Sequence, residues 1–123
     1  MTIVAPGKAA SFMIICRTNY FNDIRPADPQ TKKTGGYLEA VATARHHFTS
    51  GKEDAFRAYL VEAKYGADLW AAHLLLEYGQ PDGAVRKECL DVIRRYAAAT
   101  FDSVLAHQEQ QWLEAYTKEG VES

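Results

Sequence analysis

Two apolar-rich runs between Asp68 and Tyr96, joined by the breakers Gly79-Gln80-Pro81-Asp82-Gly83, predict an antiparallel helical hairpin. The first arm places Leu69, Trp70, Leu74, Leu75, Leu76 and Tyr78 on almost every side of a helix capped by Asp68. A helix that is apolar all round has to be enclosed by others, so this arm marks the centre of the fold. From Ala84 to Glu119 neither proline nor glycine interrupts the chain. One helix of that length would run roughly 50 Å, well past the width of a domain this size. The expected break is Ala99-Thr100-Phe101-Asp102, where Thr100 or Asp102 can cap a new helix. Left unbroken, the helix end would project and require a partner.

Upstream the pattern is less regular. Residues 1–10 contain the breakers Pro6 and Gly7 and form a loose start. Residues 11–21 fit two periods. Ile14, Ile15, Thr18 and the aromatics suit a strand, whereas Phe12, Ile15, Cys16 and Tyr20 fit one helix face with Ser11 as its N-cap. No second strand-like run exists to pair with, so a helix over 11–23 is the reading taken. A strand here would have to pair across a dimer or dock as an arm. Two prolines and the pair Gly35-Gly36 make residues 25–36 a linker. Tyr37 to Thr49 follows as a helix with Leu38, Val41, Arg45 and Phe48 near one stripe. Ser50 and Glu53 have the spacing of a capping box for a helix that turns Phe56, Tyr59, Leu60 and Ala63 inward and ends at Gly66. No internal repeat of fixed period is visible. The expectation is all-α: an irregular bundle of five or six helices around the 68–96 hairpin, a single globular domain in which residues 1–36 precede a helical body at 37–123.

Asp82 to Ala97, DGAVRKECLDVIRRYA, resembles the second helix of a HEAT-type repeat. Asp82, Val85 and Arg86 match its acidic turn and Val-Arg start, Cys89, Val92 and Ile93 take inward places, and Leu69–Gly79 stands as the first helix. The resemblance covers one unit, residues 69–97, where a stacked array needs about three. It implies a helical-hairpin scaffold of the kind that binds other macromolecules.

At 123 residues the chain is long enough to bury a core without staples, and its 47% hydrophobic and 24% charged residues are ordinary for a globular protein. The net charge of −2 argues against phosphate-backbone binding, and so against nucleic acid as the main partner. Charge is distributed unevenly: +3 over residues 1–36, balanced over 37–66 and −5 over 67–123. That asymmetry suits a basic arm on an acidic body, or two faces for different partners. Cys16 and Cys89 are the only cysteines, and with no apolar run long enough to span a membrane the expectation is a cytoplasmic protein with free thiols and no membrane partner.

Reactive constellations are missing from the pattern. His46 and His47 are adjacent on a helix and point about 100° apart, so they cannot chelate one ion as an i, i+4 pair can. His73 lies one turn before Glu77 and His107 near Glu109. The alternative functional reading, a small-molecule or metal-binding bundle, would assemble His73, His107 and nearby acids such as Glu88 from separate helices. Neither HExxH nor the Glu-x-x-His spacing of di-iron bundles occurs. No glycine elbow surrounds Ser11, Ser50 or Ser103, and Gly35-Gly36 and Gly51-Lys52 lack phosphate-loop spacing. No enzyme, metal or cofactor is expected.

Surface chemistry is richer. Lys87–Asp91 and Asp91–Arg95 have ion-pair spacing on one helix. Trp112 and Tyr116 fall in a polar C-terminal stretch, where they either pack back on the core or form an exposed contact patch, and Arg17, Tyr20, Phe21 and Arg25 precede the linker. Aromatics and arginines of this kind are enriched where proteins bind one another. The functional expectation is therefore a non-enzymatic interaction domain, of the adaptor, immunity or inhibitor kind, binding a protein partner through Trp112, Tyr116, Arg17, Tyr20 and Arg25. The long C-terminal helix and the ambiguous N-terminal segment also invite a homodimer.

Overall fold

The N-terminal segment is a helix. In the computed structural model, which describes residues 9–118, α1 spans Ala9–Phe21. Phe12, Ile15, Cys16 and Asn19 are its buried face, a spacing of three, four and seven that belongs to a helix. The helix begins two residues before Ser11, and Tyr20, expected inward, is exposed because Asn19 takes the inward place. Five more α-helices follow: α2 Gly35–Thr49, α3 Glu53–Phe56, α4 Ala67–Tyr78, α5 Gly83–Ala97 and α6 Ser103–Lys118. Short 3-10 turns occupy Pro29–Thr31, Arg57–Val61 and Lys64–Gly66. Among the described residues there is no strand, so the fold is an all-α bundle.

The predicted hairpin is its centre. Every residue of α4 from Ala67 to Leu75 is buried, and α4 packs against α1, α2, α5 and the 57–61 turn. α5 runs back along α4, and α6 packs on α5 while reaching α4 through Glu109 and Trp112. The break before α6 falls where the sequence places it, and Asp102 is the cap, its Oδ1 accepting the Leu105 N–H at 3.1 Å. Asp82 caps α5 in the same way through Val85, at 2.9 Å. Thr34 caps α2 through the N–H of Tyr37.

Three local expectations are corrected. Gly66, left-handed at φ +67°, stands at the start of α4, and Asp68 lies inside the first turn as a buried carboxylate. Ser50 ends α2 without capping the next helix. Glu53 reaches across to the α4–α5 turn, where its two oxygens accept the Gln80 N–H at 3.1 and 2.9 Å. The single helix expected over 51–66 is one α-turn followed by 3-10 geometry. Three residues per turn bring Phe56 and Tyr59 onto one side, where both rings lie 4.7 Å from that of Phe12.

α2 is rotated from the expected stripe. Its buried face is Tyr37, Ala40, Thr43, Ala44 and His47, while Leu38 is 54% exposed. Small side chains at Ala40 and Ala44 let α2 approach its neighbours closely, which the larger Leu38 and Arg45 would prevent. Gly36 extends the same close contact. A methyl group there would collide with Asn19 Oδ1 and meet Ile24 Cδ1 at 3.0 Å, whereas Gly35 has open space around it. Gly36→Ala is expected to destabilise the fold by about 1–3 kcal/mol despite its better helix propensity. Gly35→Ala should be neutral or stabilising by up to about 1 kcal/mol. Urea midpoints of the two variants check this, and a Gly36→Ala protein as stable as the parent would show that Asn19 and Ile24 yield.

Candidate functional site

Four chain segments converge at one end of the bundle to form a cleft of about 790 Å³. The C-terminal end of α1 contributes Asn19, Tyr20 and Phe21, and the turn after it Asp23, Ile24, Arg25 and Pro26. Residues 63–66 form the facing edge, Leu69 and Trp70 of α4 the inner wall, and Tyr96, Phe101, Asp102 and Leu105 the remaining side. Two edges are built from backbone that non-glycine residues seldom adopt: Asp23 and Tyr65 are both left-handed at φ +56°. For Tyr65, followed by left-handed Gly66, this costs on the order of 1–2 kcal/mol. Aspartate visits the region more readily because of its short polar side chain.

The rings form two clusters. Tyr20, Phe21 and Tyr65 contact one another with centroids 5.3, 5.8 and 6.0 Å apart, and Tyr96 lies 6.3 Å from Phe101. Exposure of Tyr20, Phe21 and Phe101 is 60%, 66% and 75%, high for such large apolar groups gathered round one cleft. The Arg17 guanidinium stands 5.9 Å over the Phe21 ring and the Lys64 ammonium 5.8 Å over that of Tyr65. Arg25 Nη2 lies 3.6 Å from both Asp23 and Asp102, tying the turn after α1 to the start of α6. Beneath, Tyr96 donates its hydroxyl to buried Asp68 at 2.7 Å, and Asp68 also accepts the Leu69 N–H at 2.8 Å. Burial and that carboxylate push the Tyr96 phenol above its usual range.

Three of the sequence-predicted contact residues therefore meet here: Tyr20 and Arg25 line the cleft, and Arg17 covers Phe21. Trp112 and Tyr116 do not line it. They are half-buried on α6, with rings stacked at 4.8 Å, and the Trp112 ring packs edge-to-face with that of His73, centroids 4.5 Å apart. Tyr65, Tyr96 and Phe101 escaped the sequence reading because each is a single aromatic in an unremarkable segment. Phe101 alone carried a signal, as a large ring in a predicted helix break.

The histidines are placed apart. His73 and Glu109 are both fully buried, with His73 Nε2 2.7 Å from Glu109 Oε1. His73 Nδ1 lies 3.6 Å from Glu77 Oε2, an oxygen that also accepts the Trp112 Nε1–H at 3.3 Å. Burial alone would lower the His73 pKa, but Glu109, with help from Glu77, raises it to about 9. His107 is exposed, and Glu88 pairs with Arg57 at 3.3 Å, so a composite of His73, His107 and Glu88 is not assembled. His47 is buried, with Nδ1 3.0 Å from the Thr43 carbonyl, while His46 is exposed. Among the described residues no three His, Cys, Asp or Glu side chains are grouped to hold a metal ion.

Cys16 and Cys89 are free and buried. Burial raises both thiols, that of Cys89 to about 12, which keeps them protonated. Lys87–Asp91 forms at 3.1 Å as expected, but Arg95 turns to Asp68 at 4.0 Å, and Arg94 instead lies 3.9 Å from Asp91. No helix of the described residues is long and apolar enough to cross a membrane. No protein family, curated relative or solved structure matches this chain.

Proposed function

We propose that this chain is a non-enzymatic interaction domain, of the adaptor, immunity or inhibitor kind, that binds a protein partner through the aromatic cleft. The observation carrying this reading is the cluster of exposed Tyr20 and Phe21 with half-buried Tyr65 at the edge of the cleft. Rings left in water at such a place cost solvation that a bound partner recovers, and aromatic residues of this kind dominate binding energy at protein interfaces. Left-handed backbone at Tyr65 adds support, because strain of that sort tends to collect at functional edges. The resemblance of residues 69–97 to a HEAT-type unit points the same way. On this reading the contact surface is the cleft. The Trp112–Tyr116 stack belongs to the packing around His73.

The test compares the parent chain with a Tyr20→Ala, Phe21→Ala double variant. Both residues are largely exposed, so the variant should keep its helical circular dichroism and its unfolding free energy in urea to within about 1 kcal/mol. A polypeptide captured by the parent from its host, purified and returned to both proteins, should bind the variant at least about tenfold more weakly. Equal affinity for the two would remove the cleft as the interaction site.

A further inference from the structure

The charges around the cleft narrow the partner's chemistry. We infer that the cleft takes a short acidic segment of a protein, one that places a bulky apolar side chain against Tyr20, Phe21 and Tyr65 and a carboxylate beside Arg17 or Lys64. This rests on the interaction reading above and adds the class of ligand.

Carboxylates near the cleft already have partners. Asp23 and Asp102 share Arg25, Asp102 also caps α6, and Glu62 accepts the Lys64 backbone N–H at 3.2 Å. The cations differ. Among the described residues neither Arg17 nor Lys64 has a carboxylate within ion-pair distance, and each rests over a ring of the cluster, Arg17 over Phe21 and Lys64 over Tyr65. A cation held over an aromatic face keeps its charge available and its side chain ordered, so a carboxylate arriving there meets a positioned partner. The unsatisfied charge at the cleft is thus positive and adjoins the unsatisfied apolar surface. An acidic segment with an apolar anchor complements both. A cationic segment would find its carboxylates already engaged by Arg25 and by backbone N–H groups.

Single-stranded nucleic acid is the competing class, since it too combines ring stacking with negative charge. It is disfavoured because a nucleic-acid groove tracks successive phosphates, whereas here the three cations Arg17, Arg25 and Lys64 are set among Asp23, Asp102 and Glu62 on a chain of net charge −2.

The experiment pans the immobilised full chain against a phage-displayed random dodecapeptide library, then measures an enriched peptide by fluorescence anisotropy. The expected winners carry a large apolar residue with Asp or Glu nearby. They should bind an Arg17→Glu, Lys64→Glu variant at least about tenfold more weakly, with an affinity that falls as salt rises. The Tyr20→Ala, Phe21→Ala variant should lose the peptide as well. Winners with no acidic bias that bind the charge-reversed variant unchanged would overturn the acidic class while leaving the interaction domain standing. Failure to enrich any peptide displaced by the ring substitutions would overturn the peptide-segment inference, and partner capture by the parent then decides the broader reading separately. Tighter binding of a fluorescein-labelled oligothymidylate than of any peptide would assign the cleft to nucleic acid.

Discussion

Replacing Glu109 with alanine is expected to destabilise the fold by about 3–5 kcal/mol and to remove a pH dependence that the parent chain shows. Glu109 on α6 and His73 on α4 are 36 residues apart, bonded at 2.7 Å, and screened from water on all sides. Breaking such a pair leaves one polar group buried without compensation, and for a domain whose total stability is about 5–15 kcal/mol the loss is severe. His73 supplies the sign of the pH effect. Its folded pKa of about 9 lies above the ordinary 6.5, so the folded state binds the proton more tightly than the unfolded state. The resulting stabilisation is fully present below about pH 6.5 and is lost as pH rises through about 9. From that shift the full span is roughly 3 kcal/mol. Urea unfolding at about pH 6 and pH 10 should show the parent losing stability over this interval and the Glu109→Ala protein losing much less of it. Parallel losses in both proteins would mean that His73 carries no such proton. A His73→Leu, Glu109→Leu protein gives a second check. Well-packed apolar replacements of buried pairs are often neutral or stabilising, so it should fall close to the parent and well above Glu109→Ala.

That pair also shows where the sequence stops being informative. His73 announces itself as a polar residue on an apolar helix, and Glu77 four residues on is readable as its neighbour. Glu109 is not, because its role depends on how α6 docks against the α4–α5 hairpin, and nothing within α6 distinguishes Glu109 from Glu114. The hairpin itself is legible because its signals are local: apolar residues all round one helix, the breakers Gly79, Pro81 and Gly83, and Asp82 at a capping spacing. α1 is legible from the spacing of Phe12, Ile15 and Cys16 and from the lack of a partner strand. α2 misleads because its buried face uses alanines and a threonine. Close helix approach selects small residues there, while a hydrophobicity pattern favours the larger Leu38, which is exposed. The cleft is half legible. Tyr20, Phe21 and Arg25 stand in a polar stretch before a linker and attract notice. Tyr65 reaches them only because two successive left-handed residues turn the chain at 65–66, and a Tyr-Gly pair does not encode that turn distinctively.

Phe56→Ala carries the other large effect, and it links the core to the cleft. The Phe56 ring is fully buried and touches four others: Phe12 at 4.7 Å, and His47, Phe48 and Tyr59 at 5.3 Å each. These partners belong to α1, α2 and the 57–61 turn, so no single movement can close the space the ring leaves. The expected cost is about 3–5 kcal/mol, in line with large-to-small changes in cores that cannot collapse. Phe56→Leu retains most of the volume and should cost much less, because total volume and patterning are largely kept. The two buried thiols report how the loss is distributed. Cys16 lies on α1 and Cys89 on α5, so native-state labelling with a thiol reagent reads the two regions separately. If Phe56 holds α1 in place, Cys16 in Phe56→Ala should become reactive well before Cys89. Equal acceleration at both would indicate global unfolding, and a variant within about 1 kcal/mol of the parent would show the ring cluster to be dispensable. The distinction bears directly on function, because Tyr20 and Phe21 form the last turn of α1. A core change that frees α1 would dismantle that wall of the cleft without touching a contact residue, so Phe56→Ala should lose the partner in step with the loss of Cys16 protection. Tyr20→Ala, Phe21→Ala should instead lose the partner while Cys16 stays as protected as in the parent chain.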